Sequence, residues 1–292
     1  MPELPEVETL KRGLQEFILN KKIVQVKVFC EKSFFGPTEA GGGGEFRVCQ
    51  LLVGRTVKSL RRFGKALVID LDEGVSMMVH LRMTGQLIYD GTERYAGGHP
   101  NDNFTDRLPN KQTRVQLDFE DGKLFFNDQR KFGFIKVMPT DEVVQDKFIQ
   151  SLAPEPWEMA DDEFYRRLQR HKGSPVKAVI LDQHVICGLG NIYADEALFY
   201  AGIRPNRKAG EVSEEEASRL LEGARTVMER SIESGGSTMA TYVKADGTKG
   251  DYLRLFAQVF RREGEPCNRC GAEIIKTRVA GRGTHICPRC QK

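Results

Sequence analysis

No apolar run in this chain approaches the ~18 residues that a membrane-spanning helix requires. The opening, Met1-Pro2-Glu3-Leu4-Pro5-Glu6-Val7-Glu8, is acidic. It lacks a basic segment followed by an apolar core, so no secretory signal is expected. Net charge is nearly absent, at +3 with pI ≈ 8.4, and by itself says nothing about partners. Internal repeats are lacking. Cysteine is scarce outside one segment. Cys30, Cys49 and Cys187 are scattered among apolar neighbours and are expected to be buried thiols in a reducing compartment. These absences exclude a membrane protein and point to the cytoplasm. The 292 residues, 40% of them apolar, predict an ordinary globular chain of about two domains with a real core.

Charge is informative in its distribution. Arg55, Lys58, Arg61, Arg62 and Lys65 share one stretch without an acid. A second basic segment closes the chain, with Arg269, Lys276, Arg278, Arg282, Arg289 and Lys292 against Glu273 alone. Two separated basic segments suit a polyanion lying across the molecule, although either could be a solvated face.

Periodicity divides the chain. Leu4, Val7, Leu10, Leu14, Phe17 and Ile18 recur at helical spacing over residues 3–19, with Pro2 and Pro5 tolerated near the start. From Ile23 to about Pro139 the pattern is that of strands, as in 24–28, 66–70, 75–79 and 123–126, which predicts a β-sandwich or barrel. Gly41–Gly44 and the polar stretch Asp90–Gln112 are expected to be loops. After Pro139 helical patterns follow at 161–170, 175–184, 191–201 and 213–234. Ser213 and Glu216 form a capping-box signature, and Gly235-Gly236 closes the last helix. Residues 237–265 are expected to be a loop and a short connection.

The tail carries the strongest local signal. Cys267-x-x-Cys270 and Cys287-x-x-Cys290 lie 16 residues apart, the spacing of a four-cysteine zinc ribbon. Gly271 and Pro288 fit tight knuckles. Four sulfurs leave no open position, so the Zn2+ would be structural. The competing reading is two disulfides. Arg282, between Gly281 and Gly283, falls at the expected hairpin tip, where an arginine could touch phosphate or simply face solvent.

The chain start offers a nucleophile. Removal of Met1 would leave Pro2 as a secondary amine. An α-amine has a pKa of roughly 7.7–8.0, so part of it is free base near neutral pH. Such an amine can attack C1′ of a nucleoside and form an imine, with Glu3 moving the protons. Read without further context, Glu3 and Glu6 are two acids favoured by the dipole of a helix start.

Several segments taken together resemble one family. They are Pro2-Glu3-Leu4-Pro5-Glu6-Val7-Glu8-Thr9, Arg61-Arg62-Phe63-Gly64-Lys65, His80-Leu81-Arg82-Met83-Thr84-Gly85, Asp128-Gln129-Arg130-Lys131-Phe132-Gly133, Gly188-Leu189-Gly190-Asn191-Ile192-Tyr193-Ala194 and the four-cysteine tail. In this order, spanning nearly the whole chain, they resemble the formamidopyrimidine-DNA glycosylases. The resemblance implies an α+β, multidomain protein. An N-terminal β-sandwich with an N-terminal helix would occupy 1–139, a helical domain with a helix–two-turn–helix 140–265, and a zinc-finger hairpin 266–292.

It also implies roles. Pro2 would be the Schiff-base nucleophile and Glu3 the general acid/base. Lys65 would assist the chemistry beside a phosphate. Arg282 would belong to the catalytic set and, with His80 and Asn191, grip neighbouring phosphates. Met83, Arg130 and Phe132 would fill the gap left by the extruded base. On residue type alone, Met83 and Phe132 read as core, His80 as a satisfied sheet histidine and Asn191 as a helix cap. The implied partner is double-stranded DNA with a damaged base. No membrane partner is expected, and a monomer in the cytoplasm, at the nucleoid, is. Residues 237–252 would cover the base pocket.

Three departures from the family pattern stand out. Arg82 replaces a more usual Gly, Gln112 and Arg114 stand where histidines are common, and Phe260-Arg261-Arg262 replaces Tyr-Gly-Arg. The implied activity is excision of oxidised purines followed by β,δ-elimination. The alternatives are an endonuclease VIII-type activity on oxidised pyrimidines and a non-catalytic zinc-ribbon DNA-binding protein. Retention of Met1 would favour the latter.

Overall fold

A computed structural model describes residues 1–37, 48–99, 106–237 and 252–292. Two compact units are present. The first comprises Met1–Gln150 with 235–237, and the second Ser151–Ser234 with 252–292. The expected loop Gly41–Gly44 and most of the expected pocket cover lie outside the described residues.

The first unit opens on helix α1 (Leu4–Ile18), whose Leu4, Val7, Leu10, Leu14 and Ile18 are all buried. Among the described residues ten strands follow in two five-stranded sheets. One sheet has the order β1-β8-β9-β6-β7, from β1 (Ile23–Val28), β6 (Gly85–Gly91), β7 (Arg94–Gly98), β8 (Thr113–Phe119) and β9 (Gly122–Asp128). The other has the order β2-β10-β5-β4-β3, from β2 (Phe34–Phe35), β3 (Val57–Phe63), β4 (Ala66–Leu71), β5 (Val75–His80) and β10 (Phe134–Pro139). Leu67, Ile69, Met77 and Val79 of one sheet share a single core with Leu87, Tyr89, Leu124 and Phe126 of the other. Two separate sheets around one core make this a sandwich rather than a barrel.

The stretch from Asp90 to Gln112 is not wholly a loop. Arg94–Gly98 pairs antiparallel with β6, Tyr89 opposite Tyr95. Its glycines and charges hid the strand, which is held from outside. Phe17 of α1 stacks on Tyr95 at 5.3 Å, and the Tyr95 hydroxyl donates to the Thr9 carbonyl at 3.1 Å. Gly13 permits this, since a Cβ there would lie 2.0 Å from Tyr95 Oη.

The second unit contains α2 (Asp161–Gln169), α3 (Val176–Ile180), α4 (Asn191–Ala201) and α5 (Glu214–Glu233). Helix α5 has the Ser213/Glu216 capping box, and Gly235 (φ 80) and Gly236 (φ 94) follow its end. Helix α3 stops well short of the expected 184. The Asp182 carboxylate takes the His184 amide at 2.9 Å, a local turn that competes with continued helix. The hairpin β11 (Ile275–Val279) and β12 (Arg282–Ile286) turns through Ala280 (φ 48) and Gly281 (φ 74). Both residues of this two-residue turn have positive φ, as a primed hairpin turn demands. No helix among the described residues is long and apolar enough to cross a membrane.

Candidate functional site

The chain start is held by α1. Glu3 is its N-cap residue. The Glu3 amide donates to Glu6 Oε2 at 2.8 Å, and the Glu3 carboxylate reciprocates at the Glu6 amide. Glu6 Oε1 accepts the Ser237 amide at 3.0 Å. Pro2 and Glu3 are buried while Met1 is exposed. His99 belongs to the same neighbourhood. Burial first, and then the positive chain terminus, lower its pKa, with Asp128 opposing.

Lys65 and His80 meet at one end of the second sheet. Gly64 (φ 54) and Lys65 form the two-residue turn between paired Phe63 and Ala66. Ala66 in turn pairs with His80. Both Lys65 and His80 are buried. The His80 ring lies between Phe134 at 5.9 Å and Phe148 at 5.3 Å. Burial, reinforced by the charges of Arg82 and Lys65, lowers its pKa to about 3. It is therefore neutral at physiological pH. The Arg82 amide donates to Nδ1 at 3.1 Å, which places the ring proton on Nε2, a donor suited to an anion. Arg82 adopts φ 50, a left-handed backbone that glycine tolerates and that costs a side-chain-bearing residue roughly 1–2 kcal/mol.

The acid-free basic stretch looks different once folded. Arg55 pairs with Glu73 at 2.7 Å, Arg61 holds Asp70 through two 2.7 Å bonds, and Arg62 meets Glu8 at 2.9 Å. Burial would raise the Glu8 pKa, but hydrogen bonds from Arg62, Lys11 and Arg12 overrule it and hold it near 2. Three of the five basic residues thus have carboxylate partners brought by other segments, and the stretch is less of an anion surface than its composition suggests.

Beyond β9 the chain turns through Gln129–Gly133. Asp128, wholly buried, takes the amides of Phe132 at 2.8 Å and Gly133 at 2.7 Å on Oδ2. Its Oδ1 takes the Arg130 amide at 3.1 Å and the Thr84 hydroxyl. Lys131 has φ 58. This clamp leaves Phe132 55% exposed, with the Arg130 guanidinium 4.8 Å from its ring. Phe132 is therefore not a core residue. Met83, next to Thr84, is half-buried. Of the two departures nearby, Arg114 is buried and donates to the Asp128 carbonyl at 2.8 Å, and the Gln112 carbonyl accepts the Asp128 amide at 2.9 Å.

In the second unit Asn191 begins α4, but the capping position belongs to Gly190. The Asn191 side-chain amide donates instead to the Gly283 carbonyl at 3.0 Å, beside Arg282. Lys177 of α3 supports the same hairpin tip. Wholly buried, it pairs with Asp195 at 2.6 Å and donates to Thr284 Oγ1 at 2.7 Å and the Gly283 carbonyl at 3.1 Å. Asp195 also takes the His285 amide at 2.9 Å. Arg261, the third departure, has φ 61. The three amides before it, of Gln258, Val259 and Phe260, converge on buried Glu196.

The four tail cysteines come together as expected. Their sulfurs all lie within 4.8 Å of one another, with Cys267–Cys290 at 3.9 Å and Cys270–Cys287 at 3.5 Å. Disulfides are ruled out, because all four are free. A tetrahedron of Zn–S bonds near 2.3 Å requires sulfurs about 3.8 Å apart. Backbone amides of Arg269 and Cys290 donate to Cys267 and Cys287 sulfur, each at 3.4 Å, which suits thiolates. The set fits one structural zinc. Of the scattered cysteines, Cys187 is buried, while Cys30 and Cys49 are half-buried.

Lys177 and Asp195 escaped the sequence reading, and Asp128 and Thr84 stood in quoted segments without a role. A lysine inside the apolar run Pro175-Val176-Lys177-Ala178-Val179-Ile180 was an available signal, since an unpaired charge there would be costly.

Comparison with known proteins gives one answer along the chain. The family model for the formamidopyrimidine-DNA glycosylase N-terminal domain matches residues 1–135, that for the glycosylase H2TH domain 152–243, and that for the zinc finger found in FPG and IleRS 264–292. The chain is 37% identical over 293 residues to a formamidopyrimidine-DNA glycosylase of Desulfitobacterium hafniense, covering 100% of both. It is 40% identical over 294 residues to that of Pelotomaculum thermopropionicum, covering 100% of this chain and 99% of the other. Among solved structures, a Lactococcus lactis FPG variant bound to Fapy-dG-containing DNA matches with TM-score 0.86 and 31% identity over 100% of each chain. MutM in complex with carbocyclic 8-oxo-G-containing DNA matches with TM-score 0.82 and 30% identity, again over 100% of each.

Proposed function

Since the chain belongs to the formamidopyrimidine-DNA glycosylase family, we propose that Pro2 and Glu3 carry its chemistry and that the side chains described above hold its DNA. The protein is a DNA glycosylase of base excision repair that acts on oxidised purines, with abasic-site lyase activity and one structural zinc. Its substrates are 8-oxoguanine and formamidopyrimidines in duplex DNA.

Removal of Met1 exposes the secondary amine of Pro2. Its lone pair attacks C1′ of the damaged nucleotide, the C1′–base bond breaks with its electron pair leaving on the base, which takes a proton from solvent, and the attacking nitrogen passes its own proton to the Glu3 carboxylate. Glu3 delivers a proton to the ring oxygen as the sugar opens, leaving an iminium between Pro2 and C1′. Loss of a C2′ proton expels the 3′ phosphate, and a second elimination expels the 5′ phosphate. Water then hydrolyses the iminium, which releases the sugar remnant as an unsaturated aldehyde and frees Pro2. Lys65 assists beside the reacting phosphate, while the neutral Nε2–H of His80, Asn191 and Arg282 bind neighbouring phosphates. With four sulfurs around it, the zinc contributes folding rather than chemistry.

Extruding a base costs a few kcal/mol. Met83 and Phe132 occupy the vacated stack, and Arg130 reaches the orphaned partner base. The observation that carries this reading is the clamped turn that holds a phenylalanine out in solvent beside an arginine. We assign the chemistry to residues 1–139, and the grip on flanking DNA to 140–265 and the ribbon 266–292. The protein acts as a monomer at the nucleoid.

Borohydride trapping tests the proposal. Duplexes carrying 8-oxoguanine, formamidopyrimidine, oxidised thymine or an abasic site are mixed with the protein. A covalent adduct on the purine lesions that disappears in Pro2→Gly is expected. An undiminished adduct in Pro2→Gly would remove Pro2 as nucleophile, and a preference for oxidised thymine would reassign the substrate.

A further inference from the structure

The group that fills the vacated stack comes from two segments, Met83 and the pair Arg130 and Phe132. One buried carboxylate touches both. Asp128 accepts three consecutive-turn amides, those of Arg130, Phe132 and Gly133, and also the Thr84 hydroxyl next to Met83. The Thr84 oxygen closes the circuit by accepting the Arg130 amide at 3.0 Å.

We propose that Asp128, acting with Thr84, is the positioning residue that locks Met83, Arg130 and Phe132 into one rigid wedge. The inference rests on the reading of those three as the group that enters the stack.

Three features make the carboxylate more than a local turn former. First, it is fixed. Asp128 pairs with Gly85 across β9 and β6, its amide is bound by Gln112 and its carbonyl by Arg114. Second, the turn it holds has little else to hold it. Gln129, Arg130, Lys131 and Phe132 are all exposed, so hydrophobic burial cannot set their position, and the hydrogen bonds to the Asp128 side chain do. Third, the Met83 side is equally constrained. A Cβ on Gly85 would lie 2.3 Å from the Leu81 carbonyl oxygen, so the turn from Leu81 to Gly85 is closed tightly against itself. A wedge assembled before encounter enters the stack without ordering two loops at that moment.

The test compares paired with unpaired substrate, because a wedge matters only where there is a stack to fill. Zinc-loaded Asp128→Asn, Thr84→Val, Thr84→Ser and Phe132→Ala are assayed on an 8-oxoguanine duplex and on a single strand carrying an abasic site. For Asp128→Asn and Thr84→Val, the ratio of duplex excision to single-strand cleavage is expected to fall on the order of tenfold. Thr84→Ser, which keeps the hydroxyl, is expected to retain the wild-type ratio. A wild-type ratio in Asp128→Asn and Thr84→Val, while Phe132→Ala lowers it, would overturn the proposal and leave the wedge reading intact. An unchanged ratio in Phe132→Ala would remove the wedge reading and the proposal with it. General damage to the fold lowers both activities together, and a preserved ratio of that kind also counts against the proposal.

Discussion

Replacing Lys177 by Met should destabilise the protein strongly, and the structure says by how much. The Lys177 ammonium and the Asp195 carboxylate are both 0% exposed and 2.6 Å apart. Methionine matches the volume of the lysine stem, so little packing is lost. What is lost is the countercharge of a carboxylate that cannot reach water, together with the donor to Thr284 and the Gly283 carbonyl. Breaking one side of a buried pair costs about 3–5 kcal/mol. For a unit of this size that corresponds to a fall in Tm of roughly 10–20 °C.

The companion variant Lys177→Met/Asp195→Leu removes both charges. It keeps the lost donor to Thr284 and the Gly283 carbonyl and adds a defect at His285, whose amide and ring nitrogen lose the Asp195 acceptor, at about 1–3 kcal/mol. The double variant should therefore be more stable than Lys177→Met alone. Calorimetric unfolding of the zinc-loaded proteins checks this. A cost below 1 kcal/mol for the single variant, or a double variant showing the sum of two large losses, would refute the description of a dry, mutually dependent pair.

Chelating the zinc, or replacing Cys290 by Ser, should unfold the β11–β12 ribbon, because binding energy of about 10 kcal/mol folds such segments. Metal analysis and DNA titration check it, and a ribbon that keeps its zinc and its affinity would contradict the four-sulfur assignment. His80 supplies a pH dependence. Its folded pKa of about 3 lies below the unfolded value of 6.5, so its contribution to stability is complete above pH 6.5 and is lost as pH falls toward 3. His80→Gln should therefore lose less stability than wild type between pH 7 and pH 4 in denaturant titrations. Gly13→Ala should cost roughly 1–3 kcal/mol, since the new methyl overlaps Tyr95 and breaks its bond to Thr9. A Tm equal to that of wild type would show that Tyr95 can move away freely.

Features written within a few residues of one another were legible early. The 3.6-residue rhythm of Leu4, Val7, Leu10 and Leu14 predicted α1, Ser213 with Glu216 predicted the start of α5, and two Cys-x-x-Cys pairs predicted a metal knuckle. In each, the physical cause is local, namely backbone hydrogen bonding or the reach of two thiolates on one turn. Less legible were β7, whose Arg94-Tyr95-Ala96-Gly97-Gly98 lacks strand character until α1 covers it, and α3, which Asp182 cuts short.

By itself, then, the sequence determined the order of the parts, the metal ligands and the candidate nucleophile at Pro2. Which basic residues are spent on Glu8, Asp70 and Glu73, that Phe132 stands outside the core, and that Asp128 and Lys177 brace the 129–133 turn and the β11–β12 tip all follow from the fold alone. The reason is distance along the chain. Arg62 and Glu8 are 54 residues apart, Thr84 and Asp128 are 44 apart, and Lys177 and Thr284 are 107 apart. No periodicity or spacing encodes such pairs. They exist because sheet register and helix packing bring their ends together, and burial then makes each partner necessary to the other.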